Sequence, residues 1–266
     1  MNGPSPRDYT FTPFEFTQTY PITFKELLDA PCRVINLDRN PERWDIGEKR
    51  IIEAGFTNVQ RVSAVDAKDS SQLAQVWKVL GNPSFASWDR EFVSYVGKQG
   101  CFLSHFQLWK EILDHKIPYM VVFEDDVMFH PQWKELAPLY FENTPKDFDI
   151  LYLGAQFEFM SRYHVDSGPV FCTHAMVLTY SGVKKLWDMF LQLSVGVYTI
   201  DCMIIDMMKY KLIHTNNMNQ SPFIWYVWNG QSFYPTDLQN MPKGWTKRNG
   251  GLVFQDESFG SEVRIW

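Results

Sequence analysis

Three consecutive carboxylates, Glu124-Asp125-Asp126, directly follow the apolar run at residues 119–123. An uninterrupted apolar run of this length is typical of a central strand that is buried on both faces. Because side chains alternate along a strand, we expect Glu124 and Asp126 to point to one side and Asp125 to the other. Two carboxylates on one side suit a hard divalent cation, which offsets their mutual repulsion. The triplet therefore predicts a cation site; a solvated acidic strand end is the alternative interpretation.

The elements that must position this triplet begin with a βαβ pattern. Residues 33–37 form a short apolar strand, residues 41–54 read as a helix, and residues 59–65 read as the next strand. Asn40 is a candidate N-cap for the helix, followed by Pro41 in its first turn, and Gly55 is suited to end it. This order favours a parallel sheet, which binds ligands at the carboxyl ends of its strands. The sequence predicts an α/β fold with the triplet at that edge.

Further elements follow the same reasoning, and no internal repeat is present. Residues 66–98 are irregular and predict a partly helical loop, whereas residues 100–115 carry a wide apolar stripe at helical spacing. We predict strands at 149–153 and 170–180, and helices at 181–193 and 201–210. We interpret residues 1–266 as a single domain in which residues 1–30 form an N-terminal arm.

Composition limits the partners and the setting of this 266-residue chain. The net charge of −6, from 25 basic and 31 acidic residues, argues against nucleic acid, because affinity for it depends on neutralising phosphates. No apolar run reaches the roughly 20 residues of a membrane span, and the polar N-terminus lacks a signal-peptide pattern. The four cysteines are widely spaced, as core thiols are, rather than in a structural zinc pattern. We expect a soluble, cytoplasmic protein.

Four sequence blocks, in order, resemble glycosyltransferase family 25, which includes bacterial lipopolysaccharide galactosyltransferases and animal collagen galactosyltransferases. One is a Gly-Cys-x-x-Ser-His motif and another is the acidic triplet with its strand. Met176 departs from the family pattern, which usually has Tyr at this position. The matching blocks are residues 34–39 with 41–43, residues 100–105, residues 122–127, and residues 173–176 with 181–186 and 200–201.

The resemblance implies a GT-A, Rossmann-like fold and an inverting, metal-dependent hexosyltransferase. The implied donor is a UDP-sugar carrying galactose or glucose, the implied cofactor is Mn²⁺ or Mg²⁺, and the acceptor is a hydroxyl of a glycan or glycoprotein. Carried over to this chain, Glu124 and Asp126 hold the metal, and His214 completes its shell. A cation there would neutralise charge on the diphosphate leaving group.

The resemblance also places several side chains close to the bound donor. Arg is suited to phosphate because its guanidinium donates in a fork. For Arg43 a solvated helix position is the alternative interpretation. His105 lies on an apolar helix stripe, which favours a core histidine over a catalytic one. The donor-binding candidates are Asn36, Arg39, Arg43, Ser104, His105, Asp125 and His174.

Inversion needs a base that takes the proton of the acceptor hydroxyl. Asp201 matches an acidic position of the family and is our candidate, with Asp206 and His174 as alternatives. An N-cap role for the following helix is the structural interpretation of Asp201.

Two other functions compete with sugar transfer. A non-catalytic module that binds a nucleotide sugar or a carbohydrate would keep the same fold. A metal-dependent phosphoesterase or nuclease also uses carboxylate clusters, but the acidic net charge and the lack of scattered Asp and His metal motifs argue against it.

Overall fold

A central sheet with helices on both faces positions the acidic triplet. The computed structural model describes residues 23–80, 96–157, 165–166, 170–190, 199–205, 225–228 and 249–259. Its strands are β1 (Cys32–Asn36), β2 (Val59–Ser63), β3 (Tyr119–Glu124), β4 (Val127–Phe129), β5 (Ile150–Phe157), β6 (Val165–Asp166), β7 (Val170–Thr179), β8 (Trp225–Trp228), β9 (Asn249–Gly251) and β10 (Val253–Gln255).

Six α-helices lie wholly within the described residues, together with a 3-10 turn at Glu257–Phe259; residues 200–205 are also α-helical. The α-helices are α1 (Phe24–Asp29), α2 (Pro41–Glu53), α3 (Ser70–Leu80), α4 (Val96–Asp114), α5 (Trp133–Asn143) and α6 (Tyr180–Phe190). None of the described helices has the length and apolar character that crossing a membrane requires.

The main sheet has the strand order β2-β1-β3-β7-β5-β8-β6, with β9 paired to β5. Strands β1, β2, β3, β5 and β8 run in one direction, whereas β7 is antiparallel to both of its neighbours, β3 and β5. A separate antiparallel pair joins β4 to β10. The predicted α/β class with a mostly parallel central sheet is confirmed.

Burial of β3 on both faces explains its apolar run. Met120 and Val122 pack in one core cluster with α4 and α6, and Val121 and Phe123 pack in the other with α1, α2 and α5. All four side chains are fully buried. The carboxyl end of β3 therefore lies at the edge of a tightly packed core, which holds the triplet in place.

The start of the chain follows the predicted βαβ order. Pro41 occupies the first turn of α2, and Gly55, at φ 108°, adopts the left-handed conformation that suits glycine. Asn40 is the N-cap residue as predicted, although its side chain makes no capping hydrogen bond.

Several elements differ from the sequence-based expectations. Residues 24–30 of the predicted arm contain α1, which packs on α5, whereas residues 66–98, predicted as a partly helical loop, contain α3 as expected. Helix α5 and the β4–β10 pair were not predicted. Residues 1–22, 81–95 and 206–210 lie outside the described residues, so the predictions made for them stay predictions. The single-domain organisation also stays a prediction.

Candidate active site

The three carboxylates lie where β3 ends and the chain turns towards β4. Glu124 is the last residue of β3, and Asp125 and Asp126 form the turn. The Arg43 guanidinium contacts both Asp125 and Asp126, so these two carboxylates lie on the same side. The predicted alternation is therefore wrong beyond Glu124, because a turn does not keep the two-residue period of a strand.

Asp125 anchors this turn to the first βαβ unit. Its Oδ1 lies 2.6 Å from Arg43 Nη2, and its Oδ2 accepts a 2.6 Å hydrogen bond from Asn36 Nδ2. Asn36 Nδ2 also donates to the Asn40 carbonyl at 3.0 Å, and Asn36 Oδ1 accepts from Arg61 Nε at 2.8 Å. Burial raises the pKa of Asp125, although the charge of Arg43 opposes the rise. Asn36, the last residue of β1, thus ties this turn to the neighbouring strand.

Asp126 is buried with little compensation for a negative charge. Its Oδ2 lies 3.4 Å from Arg43 Nη2, and its buried Oδ1 has no hydrogen-bond partner. Burial, together with repulsion from Glu124, raises the pKa of Asp126 to about 8, despite the attraction of Arg43. Such a carboxylate is a natural ligand for a cation, which would supply the missing compensation.

Glu124 reaches across to α4 and β7. Its Oε1 accepts from His105 Nε2 at 3.2 Å and from Thr173 Oγ1 at 3.1 Å. Burial by itself raises the pKa of Glu124, but the hydrogen bond and charge of His105 outweigh it, and the pKa lies below its ordinary value. His105 is only 1% exposed, as its apolar stripe predicted, yet it contacts the acidic site.

An irregularity in β7 aims side chains at this edge of the sheet. Between the pairs Gly154–Ala175 and Gln156–Phe171, β7 has three residues where β5 has one. Extra residues of this kind re-aim side chains and are common beside active sites. The inserted residues are Cys172, Thr173 and His174, and Cys172 has the strained φ of 74°.

Two contacts support the irregular part of β7. Asp201 Oδ2 accepts a 3.0 Å hydrogen bond from Cys172 N, and its Oδ1 accepts one of 2.7 Å from Cys202 N. His174 Nε2 donates to the Val253 carbonyl at 3.0 Å, and burial lowers the pKa of His174, which favours a neutral ring. Since the helix begins at residue 200, Asp201 is not its N-cap.

The remaining predicted residues have mainly structural contacts. Ser104 Oγ donates to the Gly100 carbonyl at 2.7 Å and accepts from Val65 N at 2.9 Å. Arg39 Nε donates to Asp66 Oδ2 at 2.7 Å, at the rim of the site. Ser104 therefore fixes α4 to the chain that follows β2.

These groups surround one cavity of about 250 Å³. Asn36 and His174 do not line it, and residues 206–224, which include Asp206 and His214, lie outside the described residues. The predicted residues that line the cavity are Arg39, Arg43, Ser104, His105, Glu124, Asp125, Asp126 and Asp201. The structure thus brings together residues from four separate sequence blocks.

Several lining residues were not predicted from the sequence. Cys101 and Thr173 lie inside the blocks that carried the resemblance, so their positions were a usable signal. Lys68 and Gln255 also line the cavity, but neither belongs to a motif. Lys68 adds a positive charge from the chain between β2 and α3, where an anionic ligand would meet it.

The acidic turn fits a hard divalent cation. Carboxylate oxygens are the donors that Mg²⁺ and Mn²⁺ prefer. The turn offers the unpartnered Oδ1 of Asp126 beside Glu124, and both residues line the cavity. Arg39 at the rim suits an anion such as a diphosphate.

The sequence matches the family model described as "Glycosyltransferase family 25 (LPS biosynthesis protein)" over residues 30–168, just over half of the chain. The chain belongs to glycosyltransferase family 25. The matched region contains α2, α4 and the acidic triplet, so it includes most of the cavity wall.

Curated relatives within this family match over part of their length. Procollagen galactosyltransferase 2 of Mus musculus is 34% identical over 126 residues, which is 46% of this chain and 20% of that protein. The Homo sapiens protein of the same name is 33% identical over 129 residues, with the same shares. A probable inactive glycosyltransferase 25 family member 3 of Bos taurus is 29% identical over 169 residues, 58% of this chain and 28% of that protein. The chain thus spans between a fifth and somewhat more than a quarter of their length.

One solved structure similar to this chain is a glycosyltransferase involved in the glycosylation of the major capsid of PBCV-1. The two share 8% sequence identity with a TM-score of 0.36, and the alignment covers 76% of this chain and 82% of that one. The family assignment depends on the sequence match.

Proposed function

We propose that this chain is an inverting hexosyltransferase of GT-A type, moving galactose or glucose from a UDP-sugar to a hydroxyl of a glycan or glycoprotein. The observation that carries the proposal is the cavity at the carboxyl edge of the sheet, where a poorly compensated buried carboxylate faces basic side chains. Family membership supports sugar transfer, and this charge arrangement supports a donor that is both anionic and metal-bound.

In this proposal the donor's diphosphate lies between the acidic turn and the basic rim. Glu124 and Asp126 would hold Mn²⁺ or Mg²⁺, with His214 as a further ligand. The cation would neutralise charge that develops on the leaving diphosphate. Arg39 and Lys68, which line the cavity, would orient the nucleotide phosphates. Arg43 would keep Asp125 and Asp126 in place, since it already pairs with both.

We assign proton transfer to Asp201. Its carboxylate lines the cavity, and two backbone N–H groups hold it in a fixed orientation. The acceptor oxygen bonds to the anomeric carbon as the bond from that carbon to the diphosphate oxygen breaks. The electron pair leaves with the diphosphate, and the acceptor's proton passes to Asp201.

Donor hydrolysis by purified protein tests the proposal without a known acceptor. The protein is incubated with Mn²⁺ and a panel of UDP- and GDP-sugars, and release of free nucleotide is measured. We expect release from one UDP-hexose, its loss in EDTA, and its loss in Glu124→Ala and Asp126→Ala. Asp114→Ala, which removes an exposed carboxylate from a surface pair on α4, is the matched control and should keep full activity.

Full activity in Glu124→Ala or Asp126→Ala would remove that residue from the proposed metal site. Absence of release from every donor, combined with absence of nucleotide binding by calorimetry, would contradict the transferase proposal as a whole.

A non-catalytic binding module is the second candidate, because the Bos taurus relative bears a name that includes "probable inactive". The two candidates differ in one measurable respect. A binding module would retain a UDP-sugar in calorimetry and release no nucleotide even with a panel of glycan and glycoprotein acceptors. Metal-dependent release that is lost in Asp126→Ala would exclude it.

A further inference from the structure

Three side chains with different donor atoms converge on the inner wall of the cavity. Cys101 and His105 lie one helical turn apart on α4, and Glu124 lies opposite them at the end of β3. Cys101 Sγ and one nitrogen or oxygen atom each of His105 and Glu124 lie within 4.8 Å of one another. His105 Nε2 and Glu124 Oε1 are 3.2 Å apart. One sulfur, one nitrogen and one oxygen donor thus lie close together.

This spacing is close to that of a shared metal centre. Zn²⁺ bonds to His nitrogen and carboxylate oxygen at about 2.0–2.2 Å, so two such ligands of a tetrahedral centre are separated by about 3.4 Å. The sulfur bond is longer, about 2.3 Å, so the sulfur and each other ligand atom of such a centre are separated by about 3.6 Å, inside the 4.8 Å limit within which these three atoms lie. The ligands need only small side-chain movements to reach a common ion.

The donor set also selects the type of metal. Thiolate and imidazole ligands favour Zn²⁺ and related transition metals, whereas carboxylate oxygens favour Mg²⁺ and Mn²⁺. The wall formed by Cys101 and His105 therefore differs in chemistry from the acidic turn at Asp125 and Asp126, although Glu124 is adjacent to both.

The surroundings preorganise these ligands. His105 is 1% exposed, and its helix is packed through the buried rings of Phe102 and Phe106. The Thr173 hydroxyl holds Glu124 Oε1 at 3.1 Å. All three ligand residues line the cavity, so a metal held by them would leave a fourth position open to it. Three protein ligands and an open position are typical of non-structural zinc sites.

We propose that Cys101, His105 and Glu124 form a site for a thiolate-seeking divalent cation, Zn²⁺. Binding displaces the Cys101 thiol proton to solvent and leaves the thiolate on the metal. Zinc occupancy is independent of the proposed transferase function, but it has a consequence for that function. Because Glu124 contributes to both sites, zinc withdraws it from the hard cation, and inhibition by Zn²⁺ in excess Mn²⁺ follows.

Cobalt provides a direct test on the full-length, metal-stripped protein. Co²⁺ occupies zinc sites, and a thiolate ligand gives it a charge-transfer band in the near ultraviolet. We expect this band in the wild type, its loss in Cys101→Ser, and its retention in Cys202→Ser, whose side chain does not line the cavity. Zn²⁺ competition with a chromophoric chelator should show at least about a tenfold loss of affinity in Cys101→Ser and His105→Gln.

A second measurement uses the wild type alone, so it does not depend on whether the variants fold. Alkylation of each cysteine by a maleimide is followed by peptide mass spectrometry with and without Zn²⁺. We expect Zn²⁺ to slow alkylation of Cys101 but not of Cys202. Equal rates with and without Zn²⁺, or an unchanged cobalt band in Cys101→Ser, would overturn the proposal. No sugar nucleotide is present in either assay, so failure here is distinct from failure of the transferase proposal.

Discussion

Asp126 should make the metal-free protein less stable as the pH rises, and Asp126→Asn should remove that effect. In the folded protein the pKa of Asp126 is raised to about 8 by burial and by repulsion from Glu124. In the unfolded chain an aspartate titrates near pH 4. Between about pH 4 and pH 8 the folded state therefore holds a proton that the unfolded state has lost, and stability falls as pH rises through this window.

The size of the effect follows from the two pKa values. Each pH unit in the window corresponds to about 1.4 kcal/mol, which sets an upper limit of about 5 kcal/mol. Relaxation around a buried charge reduces this limit, and we expect about 2–3 kcal/mol. The side-chain amide of the Asp126→Asn variant cannot ionise, so any fixed cost of that amide is the same at every pH. The free energy of unfolding of the variant minus that of the wild type should therefore increase with pH.

The assay is urea unfolding of both proteins in EDTA at a series of pH values. Asp256→Asn serves as a control of opposite sign. Although burial by itself raises it, the pKa of Asp256 is lowered by hydrogen bonds from Ser258 and Arg50. The stabilisation that the Asp256 carboxylate contributes is present above the pKa of this group in the unfolded chain and is lost in acid. The Asp256→Asn variant should therefore be less stable than the wild type at neutral pH and approach it at low pH. Parallel pH profiles for wild type and Asp126→Asn would refute the reasoning.

Three further predictions concern the groups around the turn. Arg43→Met leaves the buried Asp125 carboxylate without an ion-pair partner, and the free energy of unfolding should fall by about 3–5 kcal/mol at neutral pH and by less in acid. An equal loss at both pH values in urea unfolding would contradict this. Gly154→Ala puts a Cβ 1.7 Å from the Val253 carbonyl oxygen, so thermal unfolding should show a loss of about 1–3 kcal/mol or more, against a change within about 0.5 kcal/mol for the exposed Ile46→Ala. Asp201→Asn, once the donor is known, should lower kcat at least about 100-fold with little change in donor affinity by calorimetry; the reverse pattern would remove Asp201 as the base.

Local sequence patterns predicted the parts of the fold that depend on periodicity. Burial on one or two faces leaves a regular apolar pattern in the sequence. This pattern predicted the strand β3, the βαβ start and the helix α4. Helix α5 also repeats apolar residues at helical spacing, from Trp133 to Phe141, but Pro138 inside it weakens a helix prediction. Strands β9 and β10 have three residues each, too few for a pattern.

The direction and neighbours of β7 had no local signal. A strand of this composition fits between β3 and β5 in either direction, and its direction depends on how the chain returns to the sheet. The same holds for the irregular pairing that aims Thr173 at Glu124, because it exists only in relation to β5.

The triplet after a buried strand and the four ordered blocks were enough to identify an acidic edge and a family. The sequence did not indicate which carboxylate has partners that offset its negative charge. In the folded chain Asn36 and Arg43 bind Asp125 and leave an oxygen of Asp126 without a partner. Likewise, Cys101 and His105 became neighbours of Glu124 only when α4 packed on β3. Periodicity reports which face of an element is buried, whereas the contact between two faces depends on packing between distant segments.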